Sequence, residues 1–177
     1  GYTKDTADDF KDNAKDFKKA RISPQTTMET LIPDFQGNTR NIDRIVKVAP
    51  EVVSHNIETV RRLTRKVRVQ AKYDTSLEVL RYLKQEGIER TKSGIMLGLG
   101  EKEEEVMEAL HDLRKVNVDV VTIGQYLQPS KKHLPVQQFI TPDVFKKLEV
   151  FALDLGFRHV ESGPLVRSSY KAHKHIA

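Results

Sequence analysis

Residues 94–127 read GIMLGLGEKEEEVMEALHDLRKVNVDVVTIGQYL, and this stretch decides the fold class. It contains an apolar run that ends in glycines, an amphipathic segment, and a second, longer apolar run. The middle segment opens with glutamates and ends with Arg114 and Lys115, the charge distribution that a helix dipole favours. Its apolar residues recur at helical spacing: Val106, Leu110, Leu113 and Val116. Strand, helix and strand in this order predict a βαβ unit with parallel strands.

The same alternation continues on both sides of this stretch. Short β-prone runs lie at 27–32 and 52–56, and each is followed by apolar residues at helical spacing. These residues are Ile42, Ile45 and Val46 after the first run, and Ile57, Val60 and Leu63 after the second. Another helix begins at Thr141-Pro142, because proline is favoured at the first helical position. We therefore expect an α/β protein with a parallel sheet and a single domain over 1–177. Its expected parts are a divergent N-terminal helix within 1–27, βα units over 28–140, and a C-terminal helix and tail over 141–177.

The composition excludes several kinds of chemistry. The 177 residues include 30 Lys and Arg against 25 Asp and Glu, a net charge of +5, and no cysteine. The chain therefore forms no disulfide or cysteine zinc site, and it holds no iron–sulfur cluster on thiolates of its own. No apolar run approaches the ~20 residues of a membrane span, so we expect no membrane contact and a cytoplasmic location, or the mitochondrial matrix in a eukaryote.

Polar or glycine-rich residues follow the apolar runs, at the place where parallel α/β folds bind ligands. Gly98 and Gly100 let the backbone approach a ligand closely, although a tight turn from strand to helix needs glycine as well. Asn56 and Glu58 offer hydrogen bonds to sugar hydroxyls or an amine. A cap at the positive end of the next helix is the alternative for Glu58, and both interpretations stay open.

A basic cluster occupies residues 61–68 and contains Arg61, Arg62, Arg65, Lys66 and Arg68. Like charges four residues apart on a helix repel each other unless a negative group lies near. The cluster is therefore either a solvated helix face or a contact for a phosphate or an acidic protein. Nucleic acid is disfavoured as a partner, since only 7% of the residues are aromatic and no RNA-binding signature occurs. No H-E-x-x-H spacing is present, so a dedicated zinc site is not expected.

An ordered set of segments over residues 28–172 resembles the lipoyl synthase family of the radical S-adenosylmethionine (SAM) superfamily. The segments are ETLIPDFQG, VVSHNIETVRRL, KVR, SLEVL, RTKSGIMLGLGE, DLRKVNVDVVTIGQYLQPSKKHLPV and GFRHVESGPLVRSSYKA. The resemblance implies a partial (β/α)6 barrel, of which this chain is the second half, with about four βα units. It also implies insertion of two sulfur atoms into an octanoyl chain carried by a lipoyl carrier protein, with SAM and two 4Fe–4S clusters as cofactors.

The resemblance assigns roles to individual residues. The superfamily motif G-x-I-x-G-x-x-E, which lies near the adenine of SAM, matches residues 94–101 with methionine in place of isoleucine. The expected SAM-binding residues are Asn56, Glu58, Gly94, Met96, Gly98, Gly100, Glu101, Gln125 and Tyr126. In the RSSY motif, Ser168 resembles the serine that ligates one iron of the auxiliary cluster. Contacts to substrate or partner are expected from Arg61, Arg65, His133 and Arg167.

Departures from the family pattern leave three hypotheses. The family's cysteine triplets are absent, and residues 8–12 only echo its D-D-L-x-D-G-G segment, so the N-terminal segment is expected to be divergent, rebuilt or truncated. The first hypothesis is a fragment of a sulfur-inserting enzyme that is inactive alone, with an octanoylated carrier and the missing half of the barrel as partners. The second is a non-catalytic binding module. The third is a truncated or engineered half-barrel whose open sheet edge promotes self-association.

Overall fold

A computed structural model describes residues 27–170. The strands are β1 (Glu29–Leu31), β2 (Val52–Ser54), β3 (Arg90–Leu97), β4 (Val120–Gln125) and β5 (His159–Gly163). The α-helices are α1 (Thr39–Val48), α2 (Arg61–Val67), α3 (Tyr73–Gln85), α4 (Glu103–Lys115) and α5 (Pro142–Asp154), and a 3-10 turn covers Phe35–Gly37. The helix predicted over residues 6–20 lies outside the described residues.

All five strands are parallel and lie side by side in chain order, β1-β2-β3-β4-β5. An open doubly wound sheet reverses its strand order at a switch point, whereas a (β/α) barrel adds each new strand on the same side. Successive right-handed crossovers in one direction also place the helices on one face of the sheet. The predicted α/β class and the partial barrel are therefore confirmed.

The helices cover the face of the sheet that carries the core. Alternate strand residues, Ile95, Leu97, Val121 and Ile123, pack there against buried residues of α4 and α5. A second cluster joins β2 to α1 and α3. The intervening residues of β3 and β4 therefore point to the opposite, concave face, and this face carries the polar groups described below.

Two local expectations differ from the structure. β5 is not among the predicted strands, since only a helix and a tail are expected over 141–177. The helix expected to carry Ile57 and Val60 begins only at Arg61. Residues 55–60 instead form a buried loop, in which the backbone of Glu58 pairs with β3 through a bridge to Ile95. Among residues 27–170, no helix is long and apolar enough to cross a membrane.

Candidate ligand-binding site

Two adjoining cavities lie on the concave face of the sheet and at the carboxyl ends of β1 and β2. The first, of about 300 Å³, is called the sheet cavity and is lined by Leu31, Asn56, Glu58, Gly94, Ile95, Met96, Thr122, Gly124, Gln125, Val166, Arg167 and Ser168. The second, of about 400 Å³, is called the loop cavity and is lined by residues 31–36, 55, 56, 58, 68, 70 and 71. Since Leu31, Asn56 and Glu58 line both, the two cavities form one continuous candidate site.

Asn56 and Glu58 stand at the junction of the cavities. The side-chain Oδ1 of Asn56 is buried and has no hydrogen-bond partner among residues 27–170. Burial raises the pKa of Glu58, and a hydrogen bond from Asn56 and the charge of Arg68 partly oppose that rise. The backbone of Glu58 has a φ of 66°, a conformation stabilised by its bridge to β3 through Gly94 O and Met96 N. A buried acceptor without a partner costs free energy, so Asn56 is suited to accept a hydrogen bond from a ligand.

Gly94 lets two polar side chains of the sheet cavity approach β3 closely. A Cβ atom at this position would stand 2.9 Å from Asn56 Oδ1 and 3.0 Å from Thr122 Oγ1. Those distances are shorter than a normal van der Waals contact, so a side chain would push both groups into the cavity. Glycine at this position therefore lets Asn56, with its free acceptor, and Thr122 stand together in the wall of the sheet cavity, where they fit the polar edge of a flat ligand.

Residues 98–101 form a turn beside the cavities. The Glu101 carboxylate folds back to accept hydrogen bonds from Gly98 N (2.5 Å) and Leu99 N (2.9 Å). Gly98 and Gly100 have φ values of 101° and 99°, and Gln125 and the Gln138 carbonyl leave no room for a side chain at Gly98. Tight-turn geometry accounts for these two glycines, and neither they nor Glu101 line the sheet or loop cavity.

Gln125 and Tyr126 are anchored to the backbone. The Gln125 amide nitrogen donates to the carbonyls of Leu97, Tyr126 and Gln138 at 3.0–3.1 Å, and its oxygen accepts from Ile140 N at 2.9 Å. The Tyr126 hydroxyl donates to Leu134 O at 2.8 Å. Gln125 therefore lines the sheet cavity with a side chain whose polar atoms already have partners, and Tyr126 supports the loop that follows β4.

A buried histidine that was not among the predicted site residues orients Arg68 towards the loop cavity. His55 Nδ1 lies 3.0 Å from Ile32 O and Nε2 lies 2.9 Å from Ser76 Oγ. A carbonyl only accepts, so Nδ1 carries the proton and Nε2 accepts from the Ser76 hydroxyl. Burial lowers the pKa of His55 to about 4. Ser76 Oγ in turn accepts from Arg68 Nη1 at 3.1 Å, which fixes the guanidinium at the cavity wall.

Charge pairs within the chain explain part of the basic cluster. Arg61 pairs with Asp74 (2.6 Å) and Asp112 (3.3 Å). Arg62 pairs with Glu105 (2.7 Å) and donates to Gly100 O (2.9 Å), so it also supports the glycine turn. The hydrogen bonds from Arg62 and from the Lys102 amide lower the pKa of Glu105 to about 2.

The remaining predicted contact residues lie in different places. Arg65 is exposed and forms no ion pair within residues 27–170. Arg167 and Ser168 line the sheet cavity. His133 lies in the exposed loop after β4, where its Nδ1 is 2.9 Å from Ser130 Oγ, and it lines neither cavity.

The residues present fit SAM and do not fit an iron–sulfur cluster. The unpartnered Asn56 Oδ1, the sheet cavity lined by Gly94 and Met96, and the oriented Arg68 supply a polar, partly apolar cradle for a nucleoside with a charged tail. Across residues 27–170, no three His, Cys, Asp or Glu side chains converge as a metal site. The absence of cysteine from the whole sequence removes the thiolates that hold such clusters.

Comparison with known proteins identifies the class of protein. The chain belongs to the radical SAM superfamily, because the model of that superfamily matches residues 2–123. It is 76% identical over 156 residues to the mitochondrial lipoyl synthase of Nematostella vectensis and to the lipoyl synthase of Flavobacterium johnsoniae. Each match covers 88% of this chain and 54% of the relative. The resemblance drawn from the ordered segments is confirmed, and the chain spans about half the length of the curated relatives it matches.

Solved structures agree on the fold. Methylornithine synthase has a TM-score of 0.65 at 17% identity, with 91% of this chain and 54% of the other covered. The HMG-CoA lyase of Bacillus subtilis has a TM-score of 0.54 at 14% identity, with 85% and 57% covered. Likeness at such identities establishes the shared fold and carries no argument about function.

Proposed function

We propose that the chain forms the SAM-binding wall of a lipoyl-synthase-type active site. The observation that carries the proposal is the buried, unpartnered Asn56 Oδ1 in the wall of the sheet cavity, where the absence of a side chain at Gly94 lets Asn56 pack close to β3. In this proposal Asn56 accepts a hydrogen bond from the ribose hydroxyls, while Gly94 and Met96 leave room for the adenine. Glu58, whose pKa is raised by burial, accepts from the ribose or the amino group. Arg68 binds the carboxylate of the methionine part from the loop cavity.

The whole protein that contains this sequence would insert sulfur into a protein-bound octanoyl chain. When bound, SAM supplies the radical chemistry that such an insertion requires. This chain's own residues bind and orient the nucleotide, and the buried sheet wall keeps water from it. Because the chain has no cysteine, anaerobic treatment with iron and sulfide should leave it colourless. A stable charge-transfer absorption with stoichiometric iron would contradict this expectation.

Calorimetry with SAM tests the binding proposal. The chain should bind SAM, and Asn56→Ala should weaken binding about fivefold to tenfold, since one hydrogen bond contributes about 1 kcal/mol. Asn41→Ala is the matched control, because Asn41 lies on α1 and lines neither cavity. Absence of SAM binding, or equal loss of affinity in the two variants, would refute the role of Asn56.

A carrier protein is the proposed macromolecular partner. Arg65 and Lys66 are exposed on α2 and form no ion pair within residues 27–170, so they are available to an acidic surface. Replacing both with glutamine should weaken binding of an octanoylated carrier and leave SAM binding unchanged. Arg61→Gln is the comparison, because Arg61 is already paired with Asp74. Carrier binding that is unaffected by the double change would contradict this assignment.

A further inference from the structure

Lys92 is a charged residue in the middle of β3 whose side chain is fully buried. Its Nζ lies 2.5 Å from Glu29 Oε1 and also donates to the carbonyl oxygen of Ser168. Glu29 Oε1 accepts a second hydrogen bond, from Ser54 Oγ at 2.9 Å. One ammonium group therefore joins β1, β3 and the chain segment that follows β5.

The segment after β5 crosses the concave face of the sheet. Val166 is only 8% exposed, and its amide donates to Gly163 O at 3.1 Å. Val166 fits against β4 because Gly124 has no side chain. A side chain at that position would collide with the Val166 carbonyl. Arg167 follows at the wall of the sheet cavity. The segment 164–168, called the tail strap, thus runs from β5 past β4 and reaches Lys92.

The ion pair alone does not explain a lysine at this position. Burial lowers the pKa of Lys92, and the hydrogen bond and charge of Glu29 only partly offset that effect. A buried ion pair is commonly no more stabilising than apolar residues of similar size. A buried ammonium needs several acceptors, and the Ser168 carbonyl is an acceptor that an apolar residue could not use.

We propose that Lys92 is a positioning residue that fixes the tail strap and thereby presents Ser168 at the sheet cavity. Lys92 holds the backbone carbonyl of Ser168, and the Ser168 side chain is exposed. The position of the strap backbone therefore sets the direction of that side chain. The role of Ser168 as a ligand rests on the proposed function, whereas the anchoring by Lys92 does not.

A single engineered thiol can report the position of the strap, because the chain has no cysteine of its own. Val166→Cys places the thiol beneath the strap, and Ala109→Cys places one in the α4 core, where it reports general opening of the fold. Lys92→Met should raise the rate of disulfide exchange at position 166 about tenfold or more and leave the rate at 109 unchanged. Lys84→Met is the matched control, because it removes the Lys84–Asp119 ion pair elsewhere.

Two outcomes would overturn the proposal. Equal acceleration at positions 166 and 109 would make Lys92 a residue of general stability, and no acceleration at 166 would mean that the strap stays in place without it. Hydrogen exchange of the unmutated chain provides a measurement that needs no variant. The Val166 amide should be protected, and exchange at the free-peptide rate would also refute the proposal. None of these measurements involves SAM or a cluster, so their failure is distinct from failure of the proposed function.

Discussion

Protonation of His55 should destabilise the fold as the pH falls. The pKa of His55 drops from an ordinary value of 6.5 to about 4 in the folded chain, because the ring is buried. Between these values the unfolded chain binds a proton that the folded chain does not, so stability is intact above pH 6.5 and is lost as the pH falls towards 4. At 1.36 kcal/mol for each pKa unit, the loss approaches about 3 kcal/mol.

Urea unfolding at a series of pH values measures this effect. His55→Gln keeps a donor for Ile32 O and an acceptor for Ser76 Oγ but does not titrate, so its stability should fall less steeply between pH 6.5 and 4. The difference between the two curves isolates His55 from every other titrating group. His111→Gln, a change on the exposed face of α4, should retain the parent slope. Parallel curves for the parent chain and His55→Gln would refute the reasoning.

Further changes test the cavity and the turn. Gly94→Ala should weaken SAM binding roughly tenfold in calorimetry with little loss of stability, because its Cβ would displace Asn56. Unchanged affinity would place the ligand elsewhere. Arg62→Gln should increase hydrogen exchange in residues 98–101, since Arg62 holds Gly100 O and Glu105. Exchange there that matches the parent chain would show that the turn does not depend on this contact. Gly98→Ala should unfold at lower temperature than the parent, as its φ is positive and Gln125 occupies the space.

The fold could be predicted because its signals are local. Apolar runs, helical stripes and the proline at position 142 mark strands and helices without reference to the rest of the chain. β5 could not be predicted, because it is a short strand of mostly polar residues, 159–163. Only its pairing with β4 identifies it as a strand. The prediction of a helix that begins at Ile57 was wrong for a related reason. Ile57 and Val60 are buried at helical spacing, but they belong to a loop that pairs with β3.

The candidate site could be predicted only where polar residues directly follow a strand. Asn56 and Glu58 satisfy that condition and line the sheet cavity, whereas Gly94 lies within β3 and was predicted only through the family motif. Arg68 does not satisfy it either, because it enters the site from the far end of α2, where it donates a hydrogen bond to Ser76 Oγ, the hydroxyl that is itself hydrogen-bonded to His55. Lys92 had no signal in the sequence, because it stands between Thr91 and Ser93 ahead of the apolar run, and its partners Glu29 and Ser168 are remote in sequence.

Gly94 and Gly124 show how the concave face serves binding rather than packing. The interior of a closed (β/α) barrel is ordinarily filled by bulky branched side chains, which maximise buried apolar area. Here the strand register sets Gly94 beside Thr122 and Gly124 beside Met96, so β3 and β4 each place a residue without a side chain on this face. At Gly124 the Val166 carbonyl of the tail strap occupies the space that a side chain would take, whereas at Gly94 that space is occupied by the side chains of Asn56 and Thr122, which both line the sheet cavity. The two glycines therefore make room for different groups: Gly124 admits the chain's own strap, and Gly94 admits two polar side chains of the cavity wall.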